Sequence, residues 1–335
     1  MELNFQNATF ICGHRKSGTT LLLCLLDNHP QLLVYPADSA FFYGYYPTYD
    51  NRYSDDQKIN RIAGFVIDQL EKEINTLSEE DQIDLNLSID NFRMNLKKIA
   101  QNTEKKPHDM LISLLKAYRL IFKGSENAVR WVEKTTSTEI YASEIKKWFP
   151  LAKFIHVIRD PRDNWASLKS GWKKRYISFN DSLDRLMQSM IDRGRLGLEF
   201  AKYNEKRFGS ESYKIIKFEE LATNPNRILQ EICNFLCIDF SNNLLSPTIC
   251  GKHWKGNNFD GLTFEKPSSI NVGRWKERIT DEEARLIEFH FSPLMEFFNY
   301  PKAYQVNECM DAATRHYKWY NFAQLYSQPT VTKNG

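Results

Sequence analysis

The sequence predicts an α/β fold with a central, mostly parallel β-sheet flanked by helices. Three observations carry that expectation. An apolar, β-prone stretch at Ala8–Cys12 runs through a short glycine-bounded turn into a helical pattern with Leu22, Leu25 and Leu26 on one face. A second stretch, Lys153–Ile158, is almost wholly apolar, as a strand buried on both faces must be, and empties into the helix-start signal Asp160-Pro161. Short strand-like runs then alternate with helical ones, which is the pattern of parallel β–α units.

Taken in order, the first helix stops at Asp27-Asn28-His29-Pro30, and Leu32-Leu33-Val34 reads as the second strand. Asp38 lies just past it, where ligands dock in open α/β sheets; the same residue also suits a helix cap. Residues 43–123 read as a helical insertion: a Tyr/Pro-rich loop over Tyr43–Tyr53, then helices at Ile59–Ile74, Ser88–Gln101 and Asp109–Phe122. The sheet resumes with a strand at Ala128–Val132, followed by Glu133-Lys134-Thr135 and a helix over Thr136–Phe149 with Ile140, Ile145 and Trp148 inward. His156, inside its apolar strand, is expected in the core. Further on come a long helix over Asp181–Phe208 with Leu183, Met187, Met190 and Leu198 inward, a strand at Tyr213–Phe218, a helix at Pro225–Cys237 and a loop from Leu244 to Ile270. A capping box at Thr280 and Glu283 opens the last strong helix. We expect one domain over residues 1–300 and a peripheral tail over 301–335.

Composition narrows the function classes. The net charge of +3 is too small for a nucleic-acid-binding surface but leaves room for a local basic cleft. With the first strand beginning near Ala8 and no apolar run of bilayer length, neither a signal peptide nor a membrane anchor is expected, and a cytoplasmic protein is. The six cysteines form no C-x-x-C pair and are read as reduced core residues. Cys233 and Cys237 are one helical turn apart, but no second ligand pair lies near them, so no metal is expected.

The chemistry concentrates at Gly13-His14-Arg15-Lys16-Ser17-Gly18-Thr19-Thr20. A helix N-terminus with its orphan N–H groups, three hydroxyls (Ser17, Thr19, Thr20) and two cations (Arg15, Lys16) suits a phosphate-sized anion. The core is thus P-loop-like, yet the nucleoside-triphosphate motif places its lysine after the second glycine, and here Lys16 precedes Gly18. A second anion-binding corner follows the strand at 153–158, where Arg159 offers a planar fork and Ser167 stands about two turns into the next helix.

Lys16-Ser17-Gly18-Thr19-Thr20 after an apolar strand resembles the 5′-phosphosulfate loop of sulfotransferases that use 3′-phosphoadenosine 5′-phosphosulfate (PAPS). Arg159-x-Pro161-Arg162-Asp163 with Ser167 downstream is similar to the 3′-phosphate motif of the same family. Glu133-Lys134-Thr135 looks like its mid-chain segment and Gly273-Arg274-Trp275-Lys276 like its C-terminal nucleotide loop. The style is that of the carbohydrate and tyrosylprotein branches.

The resemblance implies that Arg15, Lys16, Ser17, Gly18, Thr19 and Thr20 hold the 5′-phosphosulfate, that Arg159 and Ser167 hold the 3′-phosphate, and that Arg274 and Trp275 close the nucleotide site. Lys134 would face the transferring group, and Asp38 falls where those branches place a glutamate base. His14 and His253 are the alternatives for that base. The implied reaction is in-line transfer of a sulfuryl group from PAPS to a hydroxyl of a carbohydrate, small molecule or tyrosine, leaving the 3′,5′-diphosphate (PAP), with no metal, no nucleic acid and no membrane partner. Two other readings stay open at this point: a P-loop-like kinase or nucleotide hydrolase, and a non-catalytic nucleotide-binding protein.

Overall fold

Five strands, β1 (Ala8–Cys12), β2 (Leu32–Asp38), β3 (Arg130–Lys134), β4 (Lys153–Ile158) and β5 (Tyr213–Lys217), form one parallel sheet in the order β2-β3-β1-β4-β5. The computed structural model describes residues 3–85, 89–122, 126–176, 182–257 and 259–327. It divides into two compact units, one of residues 1–159 with 200–269 and the other of 160–199 with 270–335.

The first unit holds the sheet. β1 is central, paired with β3 on one side and β4 on the other, and every residue of β1 and β3 is buried. Because the chain leaves β1 first toward β2 and later crosses to β4, the strand order reverses beside β1, and the carboxyl ends of the strands there form the crevice where α/β sheets take ligands. An aromatic cluster supports the sheet from below: Phe10 meets Trp131 edge-on at 5.2 Å and stacks on Phe154 at 5.8 Å. The segment between β2 and β3 is helical as expected and packs into the same core through Phe92, Leu96, Leu111, Leu114 and Tyr118.

Several elements depart from expectation. β2 runs on to Asp38, with a register irregularity between Val34 and Asp38 that accommodates Pro36. The Tyr/Pro-rich stretch is a wide helical turn, Phe41–Tyr45, and a short helix, Thr48–Arg52, instead of a loop. The predicted 59–74 helix is formed, with one wide turn, Ile62–Val66, inside it. After β3 the chain makes a 3₁₀ turn, Thr138–Tyr141, before the helix Ala142–Trp148; the tighter winding rotates Ile140 outward, to 37% exposure. Leu183, first residue of the helix Leu183–Phe208, is likewise exposed. Cys237 caps its helix in the left-handed conformation and is exposed, while the other five cysteines are buried and all six are free thiols. The loop after Leu244 contains a two-stranded antiparallel ladder, Thr248–Ile249 with Lys252–His253. Ser88 and Asp181, the expected starts of two helices, lie outside the described residues.

The second unit is helical. Its helices are Pro161–Ser170, Asp281–Phe297 and Val306–Ser327, and a buried charge cluster joins the first two, with Arg162 donating to Asp160 (2.6 Å), Glu288 (2.7 Å) and the Pro301 carbonyl (2.8 Å). The Thr280–Glu283 capping box is formed. Arg315 binds Glu282 through two nitrogens, at 2.7 and 2.8 Å, so the chain beyond residue 300 packs onto the helix before it.

Candidate active site

The loop after β1 owes its path to two glycines. Gly13 has φ +136°, and a Cβ there would stand 2.5 Å from the Val157 carbonyl. Gly18 has φ +106°, and a Cβ there would stand 2.5 Å from the Phe218 ring. Both positions therefore require glycine. Lys16 between them also has positive φ, 65°, a conformation that costs a non-glycine residue energy and is concentrated at functional sites. The loop is braced from inside: Ser17 Oγ donates to the His14 carbonyl at 2.6 Å, the Gly13 N–H donates to Glu139 Oε2 at 3.1 Å, and the Ser137 N–H donates to the Gly13 carbonyl.

The helix Thr19–Leu26 then starts with no side-chain cap and no acidic residue in its first turn. An anion is the complement of such an end. Thr19 is buried, Arg15, Lys16 and Thr20 half-buried. Lys16 Nζ donates to the Asn257 carbonyl at 3.0 Å and lies 4.5 Å above the Phe259 ring.

Arg159 follows β4, the neighbour of β1. Its guanidinium donates to the Lys16 carbonyl at 3.0 Å and lies 4.3 Å above the Phe218 ring. The two anion-binding segments read from the sequence thus touch, and Phe218, which opens the helix after β5, wedges against both. Phe218 and Glu139 escaped the sequence reading because each acts across more than a hundred residues of chain. The glycines were the only local signal that something pressed on the loop.

At the ends of β2 and β3, Asp38 and Lys134 are partners in register, and Lys134 Nζ donates to Asp38 Oδ2 at 2.9 Å. The same oxygen accepts from Thr136 Oγ1 at 2.9 Å, while Oδ1 accepts from the Ala40 N–H at 3.0 Å and the Tyr43 phenol at 3.2 Å. Burial pushes the Asp38 carboxyl up, but the Lys134 ammonium and the donated hydrogen bonds outweigh it and hold the group below the usual carboxylate range. Asp38 is therefore ionised at neutral pH. Tyr43, whose ring is half exposed, is the one exposed aromatic on this carboxylate among the described residues.

The two histidine alternatives lie in the loop after β1 and in the loop after Leu244. His14 is buried within the loop, and His253 sits in the small ladder with Nε2 3.4 Å from Glu265. His156 is the core residue expected, with Nδ1 2.7 Å from the Tyr213 hydroxyl. No group of three His, Cys, Asp or Glu that could hold a metal ion is present among the described residues.

Ser167, Arg274 and Trp275 belong to the second unit. There Asp163 accepts from the backbone N–H groups of Gly273 (2.6 Å) and Trp275 (2.8 Å), and Arg162 lies 4.3 Å above the Trp275 ring. The helix carrying Ser167 and the Gly-Arg-Trp-Lys loop are thereby joined, which the sequence, with more than a hundred residues between them, did not disclose. Arg274 donates to Asn271 Oδ1 at 3.2 Å.

A glycine-bounded loop and an uncapped helix start at the switch point of a parallel sheet, with an arginine at the next strand and no lysine after the second glycine, set the chain apart from the triphosphate P-loop enzymes. The sulfotransferase family model matches residues 8–242, and the chain belongs to that family, the PAPS-dependent class its motifs resemble; it is a sulfotransferase. Solved structures agree in fold. The sulfotransferase domain of the Synechococcus PCC 7002 olefin synthase is 17% identical with a TM-score of 0.57, over 90% of this chain and 97% of that one. The sulfotransferase domain from the curacin biosynthetic pathway is 14% identical with a TM-score of 0.57, over 90% of this chain and 100% of that one. No curated protein matches the sequence at a significant level. No helix among the described residues is long and apolar enough to cross a membrane.

Proposed function

We propose that the rim formed by the ends of β1, β2, β3 and β4 is the catalytic centre, and that it moves a sulfuryl group from PAPS to a hydroxyl of a small-molecule or carbohydrate acceptor in the cytoplasm. The supporting observation is the direct contact of the Lys16 loop with Arg159, beside a sheet end that also carries the Asp38–Lys134 pair. A donor phosphorylated at both ends of its adenosine needs two anion sites on one rim, and a nucleoside triphosphate does not. The residues fit such a donor: an uncapped helix start, a loop whose path is fixed by two obligate glycines, three hydroxyls and two cations.

In this reading Arg15, Ser17, Gly18, Thr19 and Thr20 hold the 5′ end of the donor. Arg159 takes its 3′-phosphate. When bound, PAPS supplies an activated sulfuryl group and departs as PAP. Lys16 neutralises charge that builds on the leaving phosphate oxygen, a charge larger in the transition state than in the ground state. Asp38 accepts the acceptor's proton at Oδ1, where the Tyr43 phenol now donates and an acceptor hydroxyl would replace it. As Lys134 turns to the transferring group, Asp38 loses the partner that depresses its pKa and becomes the stronger base.

Calorimetric titration with PAP, AMP and ATP tests this. Binding of PAP at least about tenfold tighter than either is expected from a second phosphate site engaged by arginine. Equal affinities would remove the two-site reading. An acceptor panel scored by PAP release from PAPS then separates sugars from phenols and alcohols.

A further inference from the structure

Glu133, on β3 immediately before Lys134, is fully buried, and the reaction above does not use it. Its Oε1 accepts from two hydroxyls, Ser39 Oγ and Thr135 Oγ1, which lie 3.0 Å apart. Its Oε2 is buried with no hydrogen-bond partner. Ser39 directly follows Asp38, and its N–H donates to the Lys134 carbonyl at 3.1 Å, while its Oγ also accepts the Phe41 N–H. Neighbouring residues of a strand point to opposite faces. Asp38 and Lys134 therefore meet on one side of the β2–β3 seam, while Ser39 and Glu133 meet on the other. A buried carboxylate is retained at such a place only if its hydrogen bonds compensate its desolvation, and here one oxygen is left without any. That uncompensated oxygen is unexplained by packing.

We infer that Glu133 is a positioning residue: through Ser39 and Thr135 it fixes the seam between β2 and β3, and through its charge it sets how tightly Asp38 is held by Lys134. Ionised, Glu133 takes the hydrogens of both hydroxyls on Oε1; protonated, it donates to one of them, and the three-oxygen cluster rearranges without moving a heavy atom. Burial pushes the Glu133 carboxyl up to about 7, against the two hydroxyl hydrogen bonds, with the Asp38 charge raising it further and Lys134 lowering it. The charges that act on Glu133 are Asp38 on β2 and Lys134 on its own strand, and Glu133 in turn acts on Tyr35 on β2 and Cys12 on β1. Burial pushes the Cys12 thiol and the Tyr35 phenol far up, so both stay neutral.

The inference rests on Asp38 and Lys134 facing the reaction, but its test does not need donor or acceptor. In protein carrying ¹³C-labelled carboxyl groups, with the Asp38 signal assigned by its loss in Asp38→Asn, the wild-type Asp38 shift is expected to show a second inflection near pH 7 that is gone in Glu133→Gln. The glutamine keeps an acceptor for both hydroxyls and removes only the ionisation. Ser39→Ala, which loses one tether and keeps the charge, is expected to lower kcat about tenfold with the KM for PAPS within about twofold, as a small misplacement of a reacting group does. An Asp38 titration identical in wild type and Glu133→Gln, or a Ser39→Ala kcat within about twofold of wild type, overturns the inference. Unchanged turnover in Asp38→Asn would overturn the reading of Asp38 as base and leave the coupling standing.

Discussion

At the ends of β1 and β4, Lys16 and Arg159 each donate to a backbone carbonyl and lie over a phenyl ring, whereas at the ends of β2 and β3 Lys134 donates to a carboxylate. Lys16 meets the Asn257 carbonyl and the Phe259 face, and Arg159 meets the Lys16 carbonyl and the Phe218 face. Lys134 meets Asp38. A carbonyl or a ring face is a partner that a phosphate or sulfate displaces, because a full negative charge attracts a cation more strongly than a carbonyl dipole or a ring quadrupole does. The contrast sorts the rim into a half suited to an anionic donor and a half suited to proton transfer, and it gives each half a distinct way to fail.

The largest expected effect is on the proton-transfer half. Asp38→Asn keeps the shape and leaves an amide oxygen for the donors around it, but removes the charge that accepts a proton. Transfer to the acceptor should fall by about 10²–10⁴-fold while PAP affinity stays within about threefold. A loss of PAP affinity as large as the loss of transfer would erase the distinction between the halves. The donor half should fail less steeply and in a different quantity. Lys16→Ala is expected to cost about 10²–10³-fold in transfer, the size seen when one donor to a developing charge is removed, with PAP bound only about tenfold more weakly. Equal loss of both would make Lys16 an anchor for the product-like ground state.

The donor half was also the more legible in the sequence. A strand, a glycine-bounded loop and a helix start are local, so the identities of Gly13, Lys16 and Gly18 could be read in a run of six residues. Arg159 was legible for the same reason, as the residue where an apolar strand meets Asp160-Pro161. The other half was read only in outline. Asp38 was placed just beyond a three-residue strand, but β2 continues to it through an irregularity around Pro36, and this puts Asp38 in register with Lys134. That pairing joins residues about a hundred positions apart, as do the grips of Glu139 on Gly13 and of Asp163 on the Gly273–Trp275 loop. Period-based reading also failed where winding changes, since a 3₁₀ turn turns Ile140 out, whereas the stripe Ile59, Ile62, Val66, Ile67, Leu70 and Ile74 stays buried through the wide turn at Ile62–Val66.

The smallest effect concerns a titratable group that lies in β4, below the donor half, and belongs to neither half. His156 is buried against the Tyr213 hydroxyl, and burial lowers its pKa to about 3 from an ordinary value of 6.5. Between those values the unfolded chain binds a proton that the folded protein refuses, so His156 lowers stability as pH falls below about 6.5. The slope is about 1.4 kcal/mol per pH unit, which gives a loss of about 2 kcal/mol at pH 5. Asp27 and Glu133, pushed up by burial to about 6 and about 7, work in the opposite sense, since the folded state holds their protons longer as pH rises. A bare pH–stability curve would therefore mix the three. Comparing wild type with His156→Gln, which keeps a hydrogen-bonding group toward Tyr213, cancels the carboxyls, because they are common to both proteins. Urea unfolding at pH 7.5 and pH 5 should show the variant gaining about 2 kcal/mol on wild type at the lower pH. A difference independent of pH would mean that the imidazole takes up its proton in the folded protein, and the strand beneath the donor half would then carry a charge of its own.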